Sequence, residues 1–482
     1  MNRYVWSGAL LLAVGCAVNP VTGDRELALI SEAQEIEIGR SGAAEVTAAI
    51  GVHPDVGLQA YVNRIGQSLA ARSERPQLAW EFTVVDDASV NAFALPGGFI
   101  FVTRGLLTHM SSEAELASVL GHENAHVTAR HAVQQLSRQQ VAALGLGIGA
   151  AISPTIAEYA QLASAGVGLL FLKYGRDDEL QADRLGFKYA LAQGYDTREM
   201  RVLFQMLQRG SEQSGAGRLP EWQSSHPDPG NRLREVDRLV SASGQNFSAL
   251  RVGEDDYLQQ VDGLVFGEDP RAGFFRGSLF LHPDLAFVLR FPDGWRTQNA
   301  PDAVTAISQA GDAVIEFRGA MGSPAEAARA FFTQEGLTPT SQETRSIHGN
   351  RAIGGDFTAQ TQSGETIHGT ATFIEYGGAT WRVLGYAVPA RYEATRGEFR
   401  RTIESFDRLT DPAVLAVQPQ TVKVEAAPRA MTLEQFNALR PSSIPLAELA
   451  LINGLEPGTM LSAGQRIKRV VGTQLSQVSI SH

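Results

Sequence analysis

The stretch "LGHENAHVTARH", residues 120 to 131, sets His122 and His126 four apart with Glu123 directly after the first. Histidine is scarce, 10 of 482 residues, so a chance His-Glu-x-x-His has odds of about one in a hundred in such a chain. On a helix the two imidazoles point to one side. Two neutral imidazoles at that spacing can hold one Zn²⁺, and a catalytic zinc takes a third protein ligand and keeps one open position. Glu123, offset by one residue, can face the reacting water and take its proton as that water, acidified by the ion, attacks a peptide carbonyl. The alternative is a surface helix with two solvated histidines.

The third ligand has to come from a second segment. In "YGRDDELQADRLGFKYALAQGY", residues 174 to 195, an acidic first turn and a stop at Gly194 predict a helix on which Glu179 and Asp183 share a face. One carboxylate bound to the ion, with the other hydrogen-bonded to a ligand imidazole, would complete the site. Solvated acidic residues at a helix start are the competing reading. The first helix has its own signals. Ser112 and Glu115 have capping-box spacing, and "EAELASVLGHENAHVTARHAVQQL" holds no Gly or Pro except Gly121, which predicts one continuous helix with Leu116, Val119, Leu120 and Val127 toward a core. His131, five residues past His126, is then turned well away from the ligand face and receives no metal role.

"HENAH" followed by "GRDDELQADRLG" resembles the HtpX/BepA-type zinc metalloproteases, peptidase family forty-eight of the metallo class. "NAFALPGGFIFVTRGLL", residues 91 to 107, and "SSHPDPGNRL", residues 224 to 233, are similar to segments of the same family, so the likeness spans about residues 20 to 245 with its motifs in order. The resemblance implies one Zn²⁺ per subunit held by His122, His126 and Glu179, with Glu123 as base and Asp183 as acid partner and proton donor. "NAFAL" and "FIFVT" flank Pro96-Gly97-Gly98 as a hairpin. Were Phe99 to Thr103 an edge strand beside the ion, an unfolded substrate could add to it in extended form; an ordinary structural hairpin is the other reading. His226, before Pro227, is either an exposed loop residue or a gate that occupies the open metal position at rest.

The start of the chain bears on location. Arg3, the apolar run Leu10 to Val14 and "AVGC" have the form of an export signal over residues 1–15. Cys16 is the sole cysteine, so no disulfide can form within the chain, and it resembles the acylated residue of a bacterial lipobox, although Ala13 stands where Leu is usual. Ala17 at the next position implies the outer membrane, facing the periplasm; release as a soluble periplasmic protein is the alternative. The net charge is −11, without a basic stripe to neutralise phosphates, which argues against nucleic acid as a partner.

The fold expected is multidomain: a mainly α-helical, zincin-type peptidase domain with a small β-sheet over 16–250, an α+β domain over 270–410 with helices on one face of an antiparallel sheet, and a LysM-like βααβ module over 418–472. Between the two metal helices, "VAALGLGIGAAISPTIAEYAQLASAGVGLLFLKYG" is nearly uncharged. It reads as a helical hairpin in the peptidase core, or as helices covering the site or lying against lipid or client. The expected activity is zinc-dependent endopeptidase in the bacterial cell envelope, acting on unfolded or misassembled periplasmic and outer-membrane proteins. A client-binding chaperone or scaffold, and a peptidoglycan-directed hydrolase that uses the LysM-like tail, are the alternatives.

Overall fold

The metal helix forms where its cap directs. Ser112 Oγ accepts from Glu115 N–H, and Glu115 in turn accepts from Ser111 N–H at 3.0 Å, so the helix runs Glu113–Thr128. The computed structural model describes residues 16–145, 174–213, 226, 229–360 and 366–473. In chain order the first part contains β1 (Cys16–Val18), β2 (Arg25–Leu27), α1 (Glu32–Ile50), α2 (Val56–Ala70), β3 (Glu81–Val85), β4 (Ala92–Leu95), β5 (Phe99–Thr103), α3 (Arg104–His109), α4 (Glu113–Thr128), α5 (His131–Gly145), α6 (Arg176–Ala192), α7 (Glu199–Gln213) and α8 (Pro229–Ser243). The chain divides into two units whose main blocks are Val52–Gln260 and Val261–Ala450.

In the first unit α2 begins at the Asp55 cap and buries Leu58, Tyr61, Val62, Ile65 and Leu69 at helical spacing. β4 and β5 form the predicted antiparallel hairpin across Pro96-Gly97-Gly98. The sheet order β3-β5-β4 decides between the two readings of Phe99 to Thr103: β5 is central, paired parallel to β3 and antiparallel to β4, and buried at every residue. "FIFVT" is apolar on both faces because both are covered, as a central strand requires. A correction concerns α4. The expected single helix stops at Thr128, and a new one starts at His131 after Arg130, which has a left-handed φ of 59°. α4 is buried along its whole length, so its helix has no solvent face and no surface histidines.

The second unit holds an eight-stranded antiparallel sheet from Arg296–Asn299 to Ala379–Ala387 and a four-stranded one that includes Phe287–Arg290. Ala371 and Phe373 on strand Thr366–Tyr376 pack with Phe331 and Phe332 of helix Pro324–Phe332. Ile374 on the same strand packs with Phe399 and Ile403 of helix Pro389–Glu404. Successive strand residues point to opposite faces, so the helices cover opposite faces of the sheet rather than the single face expected. Adjacent apolar residues in "ATFIEY" are the local sign of that double cover. Farther on come strand Thr421–Ala426, the two-residue strand Met431–Thr432, helices Leu433–Leu439 and Leu446–Ile452, the two-residue strand Met460–Leu461 and strand Arg466–Val471; the outer strands pair antiparallel, as do the two short ones. Among the described residues no helix is long and apolar enough to cross a membrane. The proposed export signal and residues 146–173 of the apolar stretch between the metal helices lie outside the described residues.

Candidate metal centre

Two glycines let the metal helices touch. α4 and α6 cross at Gly121 and Gly186, where a Cβ on Gly186 would stand 2.8 Å from the His122 backbone nitrogen and one on Gly121 3.0 Å from the Gly186 carbonyl. With no side chain in the crossing, the backbones close enough for carboxylates of α6 to reach imidazoles of α4. α6 starts after Gly175, whose N–H donates to Asp178, and Glu179 and Asp183 follow on one face.

Asp183 sits behind the first imidazole. His122 Nδ1 donates to Asp183 Oδ1 at 2.9 Å, and Arg232 of α8 grips the same carboxylate with Nε to Oδ2 at 2.8 Å and Nη2 to Oδ1 at 2.6 Å. The Arg232 guanidinium lies over the Phe204 ring at 4.2 Å and 3.3 Å from Glu179 Oε2. Burial alone would raise the Asp183 carboxyl, but the charge and hydrogen bonds of Arg232, with the His122 bond, hold it below the usual carboxylate range.

The remaining groups converge on one point. His122 Nε2 lies 3.0 Å from His126 Nε2 and 3.3 Å from His226 Nδ1, and Glu179 stands 3.5 Å from both of the first two. Glu179 also meets His226 Nδ1 at 3.0 Å and 3.1 Å. Each of the four offers one ligand atom, and these atoms lie within 4.8 Å of one another. His226 is 1% exposed, which overturns the exposed-loop reading. Glu123 is fully buried beside them, its Oε1 3.6 Å from His226 Nε2, and neither of its oxygens has a hydrogen-bond partner among the described residues. The Tyr174 ring stacks on His126 with centroids 4.1 Å apart.

These groups fit a divalent cation. With Nδ1 committed to Asp183, the His122 ring in its neutral, metal-binding form has its lone pair on Nε2, beside a second imidazole nitrogen and a carboxylate. Lone pairs gathered this closely are favourable around a cation, and two nitrogens on one tetrahedral zinc stand about 3.3 Å apart at ordinary bond lengths. Burial holds His126 well below the usual imidazole range and keeps it a neutral donor. The buried Glu123 carboxylate beside this set, with neither oxygen hydrogen-bonded among the described residues, can accept a hydrogen bond from a water at the ion.

The sequence reading missed two supports. Arg232 lies in the quoted segment "SSHPDPGNRL" but carries no ligand signature of its own. His131, expected far from the site, has Nδ1 2.9 Å from His126 Nδ1, because the Arg130 turn brings it back.

Residues 57–240 match the model of Peptidase family M48. "Metalloendopeptidase OMA1, mitochondrial" from Bos taurus is 35% identical over 207 residues, covering 41% of this chain and 38% of that protein. "Beta-barrel assembly-enhancing protease" from Escherichia coli is 28% identical over 253 residues, 51% of each. The same-named protein of Yersinia pestis is 30% identical over 227 residues, 45% of this chain and 46% of its own length. The matched stretch thus spans about half or less of these relatives. All of the described ligand cluster falls within the family match, and residues 57–240 of this chain are a Peptidase family M48 domain.

Proposed function

We propose that the protein is a zinc-dependent endopeptidase of the bacterial cell envelope that cleaves unfolded or misassembled periplasmic and outer-membrane proteins. The observation that carries the reading is the closure of His122, His126 and Glu179 from two helices around one point, with the buried Glu123 carboxylate beside it. Zinc bound there would supply Lewis-acid activation of water and of the scissile carbonyl. Glu123 accepts the proton of the attacking water and can return it to the leaving amine. Asp183, paired with Arg232 and hydrogen-bonded to the far side of His122, acts as an orienting carboxylate; the Arg232 charge and the His122 hydrogen bond keep it ionised and unsuited to donating a proton. His226 would be a further ligand at rest and would have to move away before a substrate carbonyl could enter.

Substrate is assigned to β4 rather than β5, since β5 is bonded on both sides while β4 ends the sheet. Ala94, Leu95 and Pro96 share a small cavity with His126 and Tyr174, so an extended chain along β4 would pass beside the ligands with main-chain hydrogen bonds that tolerate many sequences. That tolerance suits an enzyme for unfolded clients. The strand-helix-helix-strand order of residues 421–471 supports a LysM-like module able to meet peptidoglycan glycan. Export through residues 1–15 and lipid attachment at Cys16 rest on sequence form. The "Beta-barrel assembly-enhancing protease" relative carries its role in its name, which supports clients of the outer membrane.

The test is Glu123→Gln in the full chain, measured on an unfolded protein such as casein and on purified peptidoglycan. Retained zinc with cleavage of casein reduced by roughly 10²- to 10⁴-fold supports the proposal. Full activity of the variant in preventing client aggregation, without cleavage by either form, would instead make the protein a chaperone. Cleavage of glycan-peptide alone would make it a peptidoglycan hydrolase.

A further inference from the structure

His131 has no place among the metal ligands, yet its surroundings fix its protons. Its Nε2 lies 2.9 Å from the side-chain oxygen of Gln181 and 3.8 Å from a carboxylate oxygen of Asp178, both on α6. An amide oxygen only accepts, so the proton of the neutral ring sits on Nε2 and Nδ1 is left as an acceptor. That Nδ1 meets His126 Nδ1 at 2.9 Å, so His126 has to donate from Nδ1. The lone pair of His126 is thereby left on Nε2, the atom that faces His122 and Glu179.

We propose that His131 is a positioning residue of the metal centre, which with Gln181 fixes His126 in the tautomer able to bind a metal; this rests on the metal-site reading above. The two imidazole ligands are then supported differently. His122 leans on the Asp183 carboxylate, whose charge Arg232 balances, while His126 leans on an imidazole-amide relay whose far end has the Asp178 carboxylate at 3.8 Å rather than in direct hydrogen bond. α6 supplies one ligand, Glu179, and an acceptor for each relay, Asp183 and Gln181.

The turn at Arg130 delivers the residue. On a continuous helix His131 would lie about 140° around the axis from His126. Instead α4 ends, Arg130 takes a left-handed conformation that non-glycine residues adopt only under constraint, and the His131 ring reaches 5.0 Å from the His126 ring, centroid to centroid, at 74°. The constraint comes from α1 and the loop before it: Arg130 Nε donates to Glu35 Oε2 at 2.8 Å and Nη2 to the Ile30 carbonyl at 3.0 Å. Both partners precede the residues that match the family.

The test uses the full chain, loaded with zinc and labelled with ¹⁵N in histidine, and reads tautomers from two-bond proton-nitrogen correlations. The expected result is His131 protonated at Nε2 and bare at Nδ1, with His126 protonated at Nδ1. A proton on His131 Nδ1 overturns the proposal. Zinc affinity by chelator competition gives a second reading: His131→Phe should weaken it about 10- to 100-fold, the usual cost of losing such a partner. Gln181→Met, which keeps the imidazole and removes its acceptor, should fall between that variant and the unaltered protein. Unchanged zinc affinity in His131→Phe refutes the relay while leaving the metal centre intact, whereas an unaltered chain that takes up no zinc would overturn the metal-centre reading itself. If His131→Phe does not fold, the tautomers of the unaltered protein decide.

Discussion

Replacing Glu35 with Gln should cost the peptidase unit about 3 kcal/mol, although Glu35 lies outside the family match and touches no metal ligand. Its carboxylate is shared by two arginines: Arg75 reaches Oε1 at 2.6 Å and Oε2 at 3.3 Å, and Arg130 reaches Oε2 at 2.8 Å. Side-chain exposure is 1% for Glu35, 2% for Arg75 and 11% for Arg130, so solvent screens this cluster little. Removing one partner of a buried ion pair typically costs about 3–5 kcal/mol, because the charge left behind has no compensation. The amide oxygen of Gln can still accept one hydrogen bond, and the half-exposed Glu32 stays 3.5 Å from Arg75, which places the variant at the lower end. For a unit of this size 1 kcal/mol moves the melting temperature by about 2–4 °C, so the expected fall is about 6–12 °C. Calorimetry with and without zinc identifies the relevant transition, since a ligand raises only the melting of the unit that binds it. Glu37→Gln is the control: on the same helix, paired with Arg40 at 2.7 Å in full solvent, it should shift stability by less than about 0.5 kcal/mol. A loss below about 1 kcal/mol for Glu35→Gln would refute the reasoning, because the cluster would then return no more than its desolvation removes.

Three further outcomes follow from the site. Gly186→Ala places a Cβ 2.8 Å from the His122 backbone, and the helix separation it forces should cost about 1–3 kcal/mol and weaken zinc binding; a variant that melts and binds as the unaltered protein does would show the crossing to be loose. Chelation should abolish proteolysis and lower the melting of the peptidase unit, with zinc restoring both and leaving the second unit's transition in place. His226→Ala should retain zinc and raise peptidase turnover, as measured by initial rates on casein, whereas an unchanged or lower rate would remove the gating role.

Much of the site was legible because local rules govern it. The His122–His126 spacing, the Ser112 cap, the paired Glu179 and Asp183 and the turn at Pro96-Gly97-Gly98 are each set within a few residues, where helix period and turn chemistry act directly. Other features depend on partners far along the chain. β5 reads like either an edge or a centre until β3 pairs with it, and the two faces of the second unit's sheet can be told apart only once the helices are docked. Arg232 has no local signature as the counter-charge to Asp183, 49 residues away.

His122, His126 and Glu123 were bound to share one short helical stretch whatever the rest of the chain did, since backbone geometry over one turn places their side chains. The sequence could not say that the helix would break at Arg130, because that residue has no intrinsic preference for a left-handed turn. The break is held by Glu35, 95 residues upstream, and an ion pair of that separation exists only after the units of the fold have packed. Local periodicity thus set the two imidazoles of α4 on one side, and tertiary packing decided what stands behind them.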